Sequence, residues 1–248
     1  MATRTDEEIK GEVRGHYAQV ANNAVDCCDN SCCDDASTLY TIQEIQELPS
    51  EAVLASAGCG NPTAVASLKP GNTVVDFGSG GGIDCFLAAR AVGPEGKVIG
   101  VDMTPDMVNL ARANAVKLEM SNVEFHLTDM EHTPIDSGSV DVVISNCVIC
   151  LAPNKDSVFQ EAFRILKPGG RMMISDMVLV DDIPNEEAED TANWVACLAG
   201  AEMKDVYLGR METAGFVDVQ VASETALDSN EGWRAAVRSM NIQASKPV

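Results

Sequence analysis

The sequence predicts an α/β protein built on a mostly parallel, doubly wound sheet with helices on both faces. Five short apolar runs alternate with longer segments of helical period between residues 73 and 175. These runs are continuously apolar, as in strands that are covered on both faces. A chain of 248 residues with 46% hydrophobic residues is long enough for one such core and a small appendage.

The predicted strands follow directly from the apolar runs. They are expected at Thr73–Phe77, Lys97–Asp102, Val123–Leu127, Val140–Asn146 and 171–175. The helical segments are expected at Asp6–Ala21, Ile83–Val92, 105–119 and 155–166. Pro105 suits the first turn of its helix, where a missing N–H has no consequence.

The alternation ends after Met177, and three parts of the chain are expected. Residues 1–52 form an N-terminal helical and cysteine-rich segment, and residues 53–177 form the ligand-binding sheet domain. Residues 178–248 form a small C-terminal extension that covers the active end of the sheet. Within it, helices are predicted at 184–201, 204–214 and 232–240, and a strand at 216–222.

A glycine-rich turn follows the first predicted strand and feeds the first helix of the sheet. Asp76 precedes glycines at alternate positions, Gly78, Gly80 and Gly82. Such a turn lets a ligand lie against the backbone at a helix N-terminus. The dinucleotide pattern fails because its third glycine would fall on Ile83. A second acid, Asp102, follows about 20 residues later at a strand end, where a ribose diol is held.

Further polar and sulfur-bearing residues follow the other strands. Asp129 and Met130 come after the third strand, Asn146 and Cys147 after the fourth, and Asp176 after the fifth. Because ligands bind at the carboxyl ends of parallel strands, all of these should surround one pocket. Asp129 and the Met130 backbone complement an adenine edge, although a carboxylate there can equally cap a helix.

Charge and composition exclude several functions. The formal net charge is −21, which repels nucleic-acid backbones and anionic membranes, and aromatic residues make up only 4%. No apolar run is long enough to span a membrane. The N-terminal stretch has no apolar signal core, so a cytoplasmic location is expected.

Nine cysteines need a chemical explanation in a reducing compartment. Cys59, Cys147 and Cys197 lie in separate segments that could converge at the predicted pocket. Thiolates select soft, thiophilic centres, and no zinc-finger spacing accompanies these cysteines. Cys150, three residues after Cys147, is predicted to be a core residue.

Several motifs resemble known families. The D-x-G-x-G-x-G pattern at 76–82 resembles the first motif of class I S-adenosylmethionine-dependent methyltransferases, which have a Rossmann-like fold. Together with 58–62 (GCGNP), 100–105 (GVDMTP), 145–151 (SNCVICL), 166–176 (LKPGGRMMISD) and 194–201 (WVACLAGA), it resembles arsenite S-adenosylmethionine methyltransferases. The resemblance covers most of the chain between residues 53 and 201.

The resemblance implies a cofactor, a substrate and their ligands. The cofactor is S-adenosylmethionine, and the residues expected to bind it are Asp76, Gly78, Gly80, Gly82, Asp102, Met103, Asp129, Met130 and Asn146. The substrate is trivalent arsenic, as arsenite or its thiol conjugates, bound by Cys59, Cys147 and Cys197 for methylation and detoxification. A further family cysteine takes part in thiol exchange, and its candidates are Cys27, Cys28, Cys32 and Cys33. Thioredoxin or glutathione is the implied reductant.

Two alternatives stay open at this point. The chain could be a class I C-methyltransferase of a quinone or sterol, in which the thiols only pack. It could also be a non-enzymatic thiol protein that binds a soft metal.

One departure from the family pattern is Cys150, where members often have asparagine in SNCVINL.

Overall fold

The computed structural model describes residues 4–22, 39–227 and 231–248. Its centre is a seven-stranded sheet with the order β3-β2-β1-β4-β5-β7-β6. The strands are β1 (Thr73–Phe77), β2 (Lys97–Asp102), β3 (Val123–Leu127), β4 (Val140–Asn146), β5 (Leu166–Leu179), β6 (Val217–Ala226) and β7 (Val237–Ser245). No helix in the described ranges is long and apolar enough to cross a membrane.

Several helices precede the sheet in the chain. Helix α1 (Asp6–Ala21) begins with a capping box in which Thr5 and Glu8 bind each other's backbone N–H groups. Between residues 39 and 72, three short helices follow, namely α2 (Ile42–Ile45), α3 (Ser50–Leu54) and α4 (Pro62–Val65).

The parallel half of the sheet confirms the predicted alternation. Its crossover helices are α5 (Ile83–Val92), α6 (Pro105–Lys117) and α7 (Lys155–Ile165). In register, Asp76 of β1 lies beside Gly100 of β2 and Ile144 of β4. The carboxyl ends of these three neighbouring strands therefore meet at one edge.

Hydrophobic cores fill both faces of the sheet. One contains Phe159 of α7 and Tyr207 of α10 (Lys204–Thr213), whose rings meet edge to face at 5.3 Å. The other contains Phe86 of α5 and Val108 of α6. This double coverage explains why the central strands are apolar along their whole length.

The C-terminal region departs from its prediction. Residues 232–240 are not a helix but a 3₁₀ turn (Gly232–Ala236) followed by β7, which pairs antiparallel with β5 and β6. The side chains of Val237, Met240, Ile242 and Ala244 are buried in the hydrophobic cores against the sheet. Tertiary pairing therefore makes residues from 237 onwards a strand, and only 232–236 keep a helical turn.

The proposed boundary at 177/178 does not coincide with a structural break. β5 continues through Leu179, and β6 and β7 complete the sheet rather than cover it. The predicted helix at 184–201 is two short helices, α8 (Asn185–Ala188) and α9 (Thr191–Val195). Cys197 lies in the turn just after α9, and its thiol bonds to the Cys147 carbonyl. Val237 and Leu227 of the same extension also pack against the buried cysteines.

Candidate active site

A cleft opens at the carboxyl ends of β1, β2 and β4. Seven of the predicted site residues line it: Gly78, Gly80, Asp102, Met103, Met130, Asn146 and Cys147. The five others lie outside the lining: Asp76, Gly82, Asp129, Cys59 and Cys197.

The glycine turn has a backbone that side chains disfavour. Gly80 and Gly82 have φ values of 49° and 95°. A Cβ on Gly82 would lie 2.6 Å from the Phe86 ring, whereas one on Gly80 would meet nothing within 4 Å. Gly82 is therefore required by packing, and Gly80 by its turn conformation.

Asp102 ties the glycine turn to the end of β2. Its Oδ2 accepts a hydrogen bond from the Gly80 N–H at 3.0 Å, and its Oδ1 accepts one from the Thr104 N–H at 2.8 Å. Burial raises the pKa of Asp102, and the two backbone hydrogen bonds oppose that shift. Each carboxylate oxygen keeps a further lone pair, which suits the hydroxyls of a ribose.

Ser79 presents an unsatisfied hydroxyl at the same turn. Its Oγ is buried and has no hydrogen-bond partner among the described residues, and Ser79 lines the cleft. Buried hydroxyls in native proteins are nearly always hydrogen-bonded. The orphaned Oγ and the Asp102 carboxylate together fit a ribose-bearing cofactor at this position.

A buried polar network lies behind the turn. Asp84 accepts hydrogen bonds from Tyr40 Oη and Asn146 Nδ2, both at 3.0 Å. Asp76 accepts one from the Cys85 thiol at 3.3 Å and faces the protein interior. Burial raises the pKa of Asp76 well above its usual range and that of Asp84 to about 6. Asp84 lines the cleft, and the sequence analysis did not identify it.

The affinity for a cationic cofactor should depend on pH because Asp84 titrates. Because the pKa of Asp84 is about 6, its negative charge develops as pH rises from 5 to 7. Affinity for S-adenosylmethionine, measured by calorimetry, should therefore increase by up to about tenfold over that range. Asp84→Asn should flatten the profile, and the exposed Asp205→Asn should not. An unchanged profile in Asp84→Asn would refute this assignment.

Asn146 connects the cleft to a cysteine-bearing turn. Its Oδ1 accepts a hydrogen bond from the Cys59 N–H at 3.0 Å, and its Nδ2 donates to the Gly60 carbonyl at 2.8 Å. The Cys59 carbonyl accepts a hydrogen bond from the Ser239 hydroxyl. Asn146 therefore positions the Cys59 turn as well as lining the cleft.

Four buried thiols, here called the thiol cluster, lie beside the cleft: Cys59, Cys147, Cys150 and Cys197. The sulfur atoms of Cys147, Cys150 and Cys197 all lie within 4.8 Å of one another. The Cys59 thiol contacts that of Cys147. The three predicted cysteines therefore converge, and Cys150 joins them. Cys147 is the member that also lines the cleft.

Two of these cysteines have strained backbones. Cys147 and Cys197 have φ values of 57° and 64°, in the left-handed region that residues other than glycine rarely adopt. The Cys197 thiol donates a hydrogen bond to the Cys147 carbonyl at 3.2 Å. Strain of this kind persists where the surroundings hold a residue for a functional reason.

The thiols of the cluster differ in their acidity. Hydrogen bonds with Cys150, Cys197 and Cys59, together with burial, raise the pKa of the Cys147 thiol well above its usual range. Burial raises the pKa of the Cys59 thiol as well. Burial also acts against ionisation of Cys150, but hydrogen bonds with Cys147, Cys197 and Asp176 and the nearby Lys155 ammonium lower the pKa of its thiol well below the usual range. Negative charge in the cluster is therefore favoured on Cys150, whereas Cys59 and Cys147 stay neutral at neutral pH.

Charged side chains are buried directly against the cluster. Asp176 Oδ2 accepts hydrogen bonds from the Cys150 N–H at 2.9 Å and from Tyr207 Oη at 2.7 Å. Lys155 Nζ donates to the carbonyls of Cys150 and Ala152, at 3.1 and 2.9 Å. Burial raises the pKa of Asp176 and lowers that of Lys155. Asp176, expected at the pocket mouth, lies instead behind the thiols.

Helix α1 forms one wall of the cleft. Lys10, Val13 and Tyr17 line it, and Lys10 Nζ forms ion pairs with Asp129 at 3.3 Å and Glu131 at 2.7 Å. Asp129 is thus engaged by α1 outside the lining. The four N-terminal cysteines proposed for thiol exchange, Cys27, Cys28, Cys32 and Cys33, lie outside the described residues.

Comparison with known proteins identifies the family of this chain. A family model described as a methyltransferase domain matches residues 68–215. An arsenite methyltransferase of Halobacterium salinarum is 40% identical over all of this chain and 69% of its own length. The human arsenite methyltransferase is 33% identical over 81% of this chain and 56% of its own length.

A solved structure shows the same relationship. The arsenic(III) S-adenosylmethionine methyltransferase of Chlamydomonas reinhardtii superposes with a TM-score of 0.73 at 29% identity, covering 87% of this chain and 74% of that one. The seven-stranded sheet, the glycine turn and the strand-end acids define a class I S-adenosylmethionine-dependent methyltransferase with a Rossmann-like fold. Within that class, the chain belongs to the arsenite methyltransferase family.

Proposed function

We propose that this chain transfers methyl groups from S-adenosylmethionine to trivalent arsenic bound by its own cysteine thiolates. The observation that carries the proposal is the position of Cys147, which belongs both to the thiol cluster and to the lining of the cleft. A thiophilic substrate bound by Cys147 would lie at the edge of the cofactor cleft.

Arsenic binding needs no general base in this cluster. Three neutral thiols react with As(OH)₃ to form three As–S bonds and release three waters, so each thiol proton leaves with a hydroxide. The product is uncharged, which suits a cluster surrounded by Leu151, Met177 and Leu198. Cys59, Cys147 and Cys197 are the ligands that the family resemblance implies.

Different residues of the cleft bind different parts of the cofactor. S-adenosylmethionine, when bound, supplies an electrophilic methyl group on a sulfonium. In this proposal the Asp102 carboxylate binds the ribose hydroxyls and the backbone of Met130 binds the adenine edge, while Asp129 stays paired with Lys10. Asp84 provides negative charge near the cationic part of the cofactor. Correct orientation of the arsenic lone pair is then the main catalytic requirement.

Turnover requires electrons from thiols. Transfer of a methyl group to the lone pair leaves arsenic formally pentavalent. Two cysteine thiolates return the electron pair and form a disulfide, which thioredoxin or glutathione reduces. The N-terminal cysteines are candidates for this exchange. A reducing cytoplasm would keep the cluster in its thiol form.

Product analysis tests the proposed function directly. The full chain, incubated with arsenite, methyl-labelled S-adenosylmethionine and a thiol reductant, should yield labelled methylarsenic species in mass spectrometry. Omission of arsenite should remove the labelled arsenic product. Omission of the reductant should limit the reaction to a single turnover. Absence of labelled arsenic, with cofactor binding intact by calorimetry, would refute the proposal and favour an organic methyl acceptor.

A further inference from the structure

The cluster holds one thiol more than the family pattern supplies. Cys150 occupies the position where SNCVINL has asparagine, and its sequence context predicts only a core residue. In the structure its sulfur lies within 4.8 Å of those of both Cys147 and Cys197. Cys59 lies outside this close group of three and contacts it at Cys147.

Cys150 is held more firmly than a core cysteine requires. The carboxylate of Asp176 accepts its backbone N–H, and the ammonium of Lys155 donates to its carbonyl. Asp176 is fully buried and Lys155 is 4% exposed. Burying a carboxylate and an ammonium costs free energy unless both are well bonded, so this arrangement orients residue 150 strongly.

The neighbouring helical stretch holds the opposite side of the cluster. Trp194 of α9 donates from Nε1 to the Leu151 carbonyl at 3.3 Å. The Cys197 thiol bonds to the Cys147 carbonyl. The 3₁₀ turn that carries Cys150 (Ile149–Leu151) and the segment that carries Cys197 are therefore fixed relative to each other.

We propose that Cys147, Cys150 and Cys197 form a complete trithiolate site for As(III), with Cys59 as a fourth thiol that can exchange into it. This inference rests on the proposed function and adds a ligand to it. The binding step is As(OH)₃ plus three thiols giving a neutral tris-thiolate and three waters, with no change in oxidation state. As(III) binds three sulfur atoms, so the four thiols offer two ligand sets. One is Cys147, Cys150 and Cys197, and the other is Cys59, Cys147 and Cys197.

The test counts sulfur ligands by arsenic X-ray absorption spectroscopy on the arsenite-loaded full chain. All variants carry serine at Cys27, Cys28, Cys32 and Cys33, so that N-terminal thiols cannot bind arsenic. This background and its Cys59→Ser variant should both show three As–S bonds. The double variant Cys59→Ser with Cys150→Ser should show two As–S bonds and one As–O bond, with arsenite affinity reduced about a hundredfold.

A matched control replaces a buried cysteine outside the cluster. Cys59→Ser combined with Cys85→Ser should keep three As–S bonds, since the Cys85 thiol bonds to Asp76 instead. Calorimetry with S-adenosylmethionine checks that each variant is folded, and Cys59→Ala replaces Cys59→Ser if the serine variant does not bind the cofactor.

The outcomes separate this inference from the proposed function. Loss of the third sulfur in Cys59→Ser, or its retention in the Cys59/Cys150 double variant, would overturn the role of Cys150 and leave arsenite methylation standing. No arsenic–sulfur bonding even in the unsubstituted chain would overturn both.

Discussion

Replacing Cys147 by serine should abolish methyl transfer to arsenite while leaving S-adenosylmethionine bound. Cys147 contributes the sulfur that lies both in the thiol cluster and in the cleft lining. A serine hydroxyl is a hard, weakly acidic ligand that does not hold trivalent arsenic as a thiolate does. The two remaining close thiols could retain arsenic, but not at the position facing the cofactor.

The expected loss is large because positioning supplies most of the rate. We expect a fall of about a thousandfold or more in kcat/KM for arsenite. The cofactor dissociation constant should stay within about threefold of the unsubstituted value, since Asp102, Ser79 and the glycine turn are untouched. Initial rates with labelled cofactor and calorimetry give the two quantities.

Cys85→Ser is the matched control for that measurement. Cys85 is fully buried, like the cluster, but its thiol donates to Asp76, a bond that a serine hydroxyl can also make. Its arsenite activity should therefore remain near that of the unsubstituted chain. Undiminished arsenite methylation by Cys147→Ser would contradict the assignment and show that the thiols only pack.

The parallel half of the fold is predictable because its signals are local. The runs at β1, β2 and β4 are largely apolar, and β3 alternates apolar with polar residues. The predicted limits of all four strands agree with the structure. Because ligands bind at the carboxyl ends of parallel strands, the sequence also predicts that Asp102, Asn146 and Cys147 lie together. These inferences use only periodicity and the geometry of parallel sheets.

The errors have non-local causes. The sequence predicts one helix over 232–240, whereas residues from 237 onwards form β7, whose strand character depends on pairing with β5 and β6. The convergence of Cys150 with Cys197 likewise depends on how the segment after α9 returns over the sheet. The position of α1 against the cleft is set by tertiary contacts that its own amphipathic pattern does not encode.

The two acids near the glycine turn show that a sequence motif does not determine the direction of a side chain. Asp76 and Asp84 lie eight residues apart in the sequence, and the motif points to Asp76. The structure turns Asp76 towards Cys85 in the interior and places Asp84 in the cleft lining. A motif identifies the turn, whereas the direction of each side chain depends on packing behind it.

Asp102→Asn should weaken cofactor binding more than any other single change in the cleft. The substitution keeps the shape of the side chain but removes its charge and turns an amide NH₂ towards one of two backbone N–H donors, at Gly80 or Thr104. Loss of a charge-assisted hydrogen bond and of the ribose acceptor should cost about 3 kcal/mol, or about a hundredfold in the dissociation constant of S-adenosylmethionine.

Calorimetry and thermal unfolding separate the two contributions to that loss. Because the backbone bonds exist without ligand, Asp102→Asn should also lower the unfolding temperature of the unliganded chain by several degrees. Asp205→Asn, the same change at an exposed position of α10, should alter neither quantity. Cofactor affinity within about threefold of the unsubstituted chain would show that Asp102 only braces the glycine turn, and that the ribose is held elsewhere.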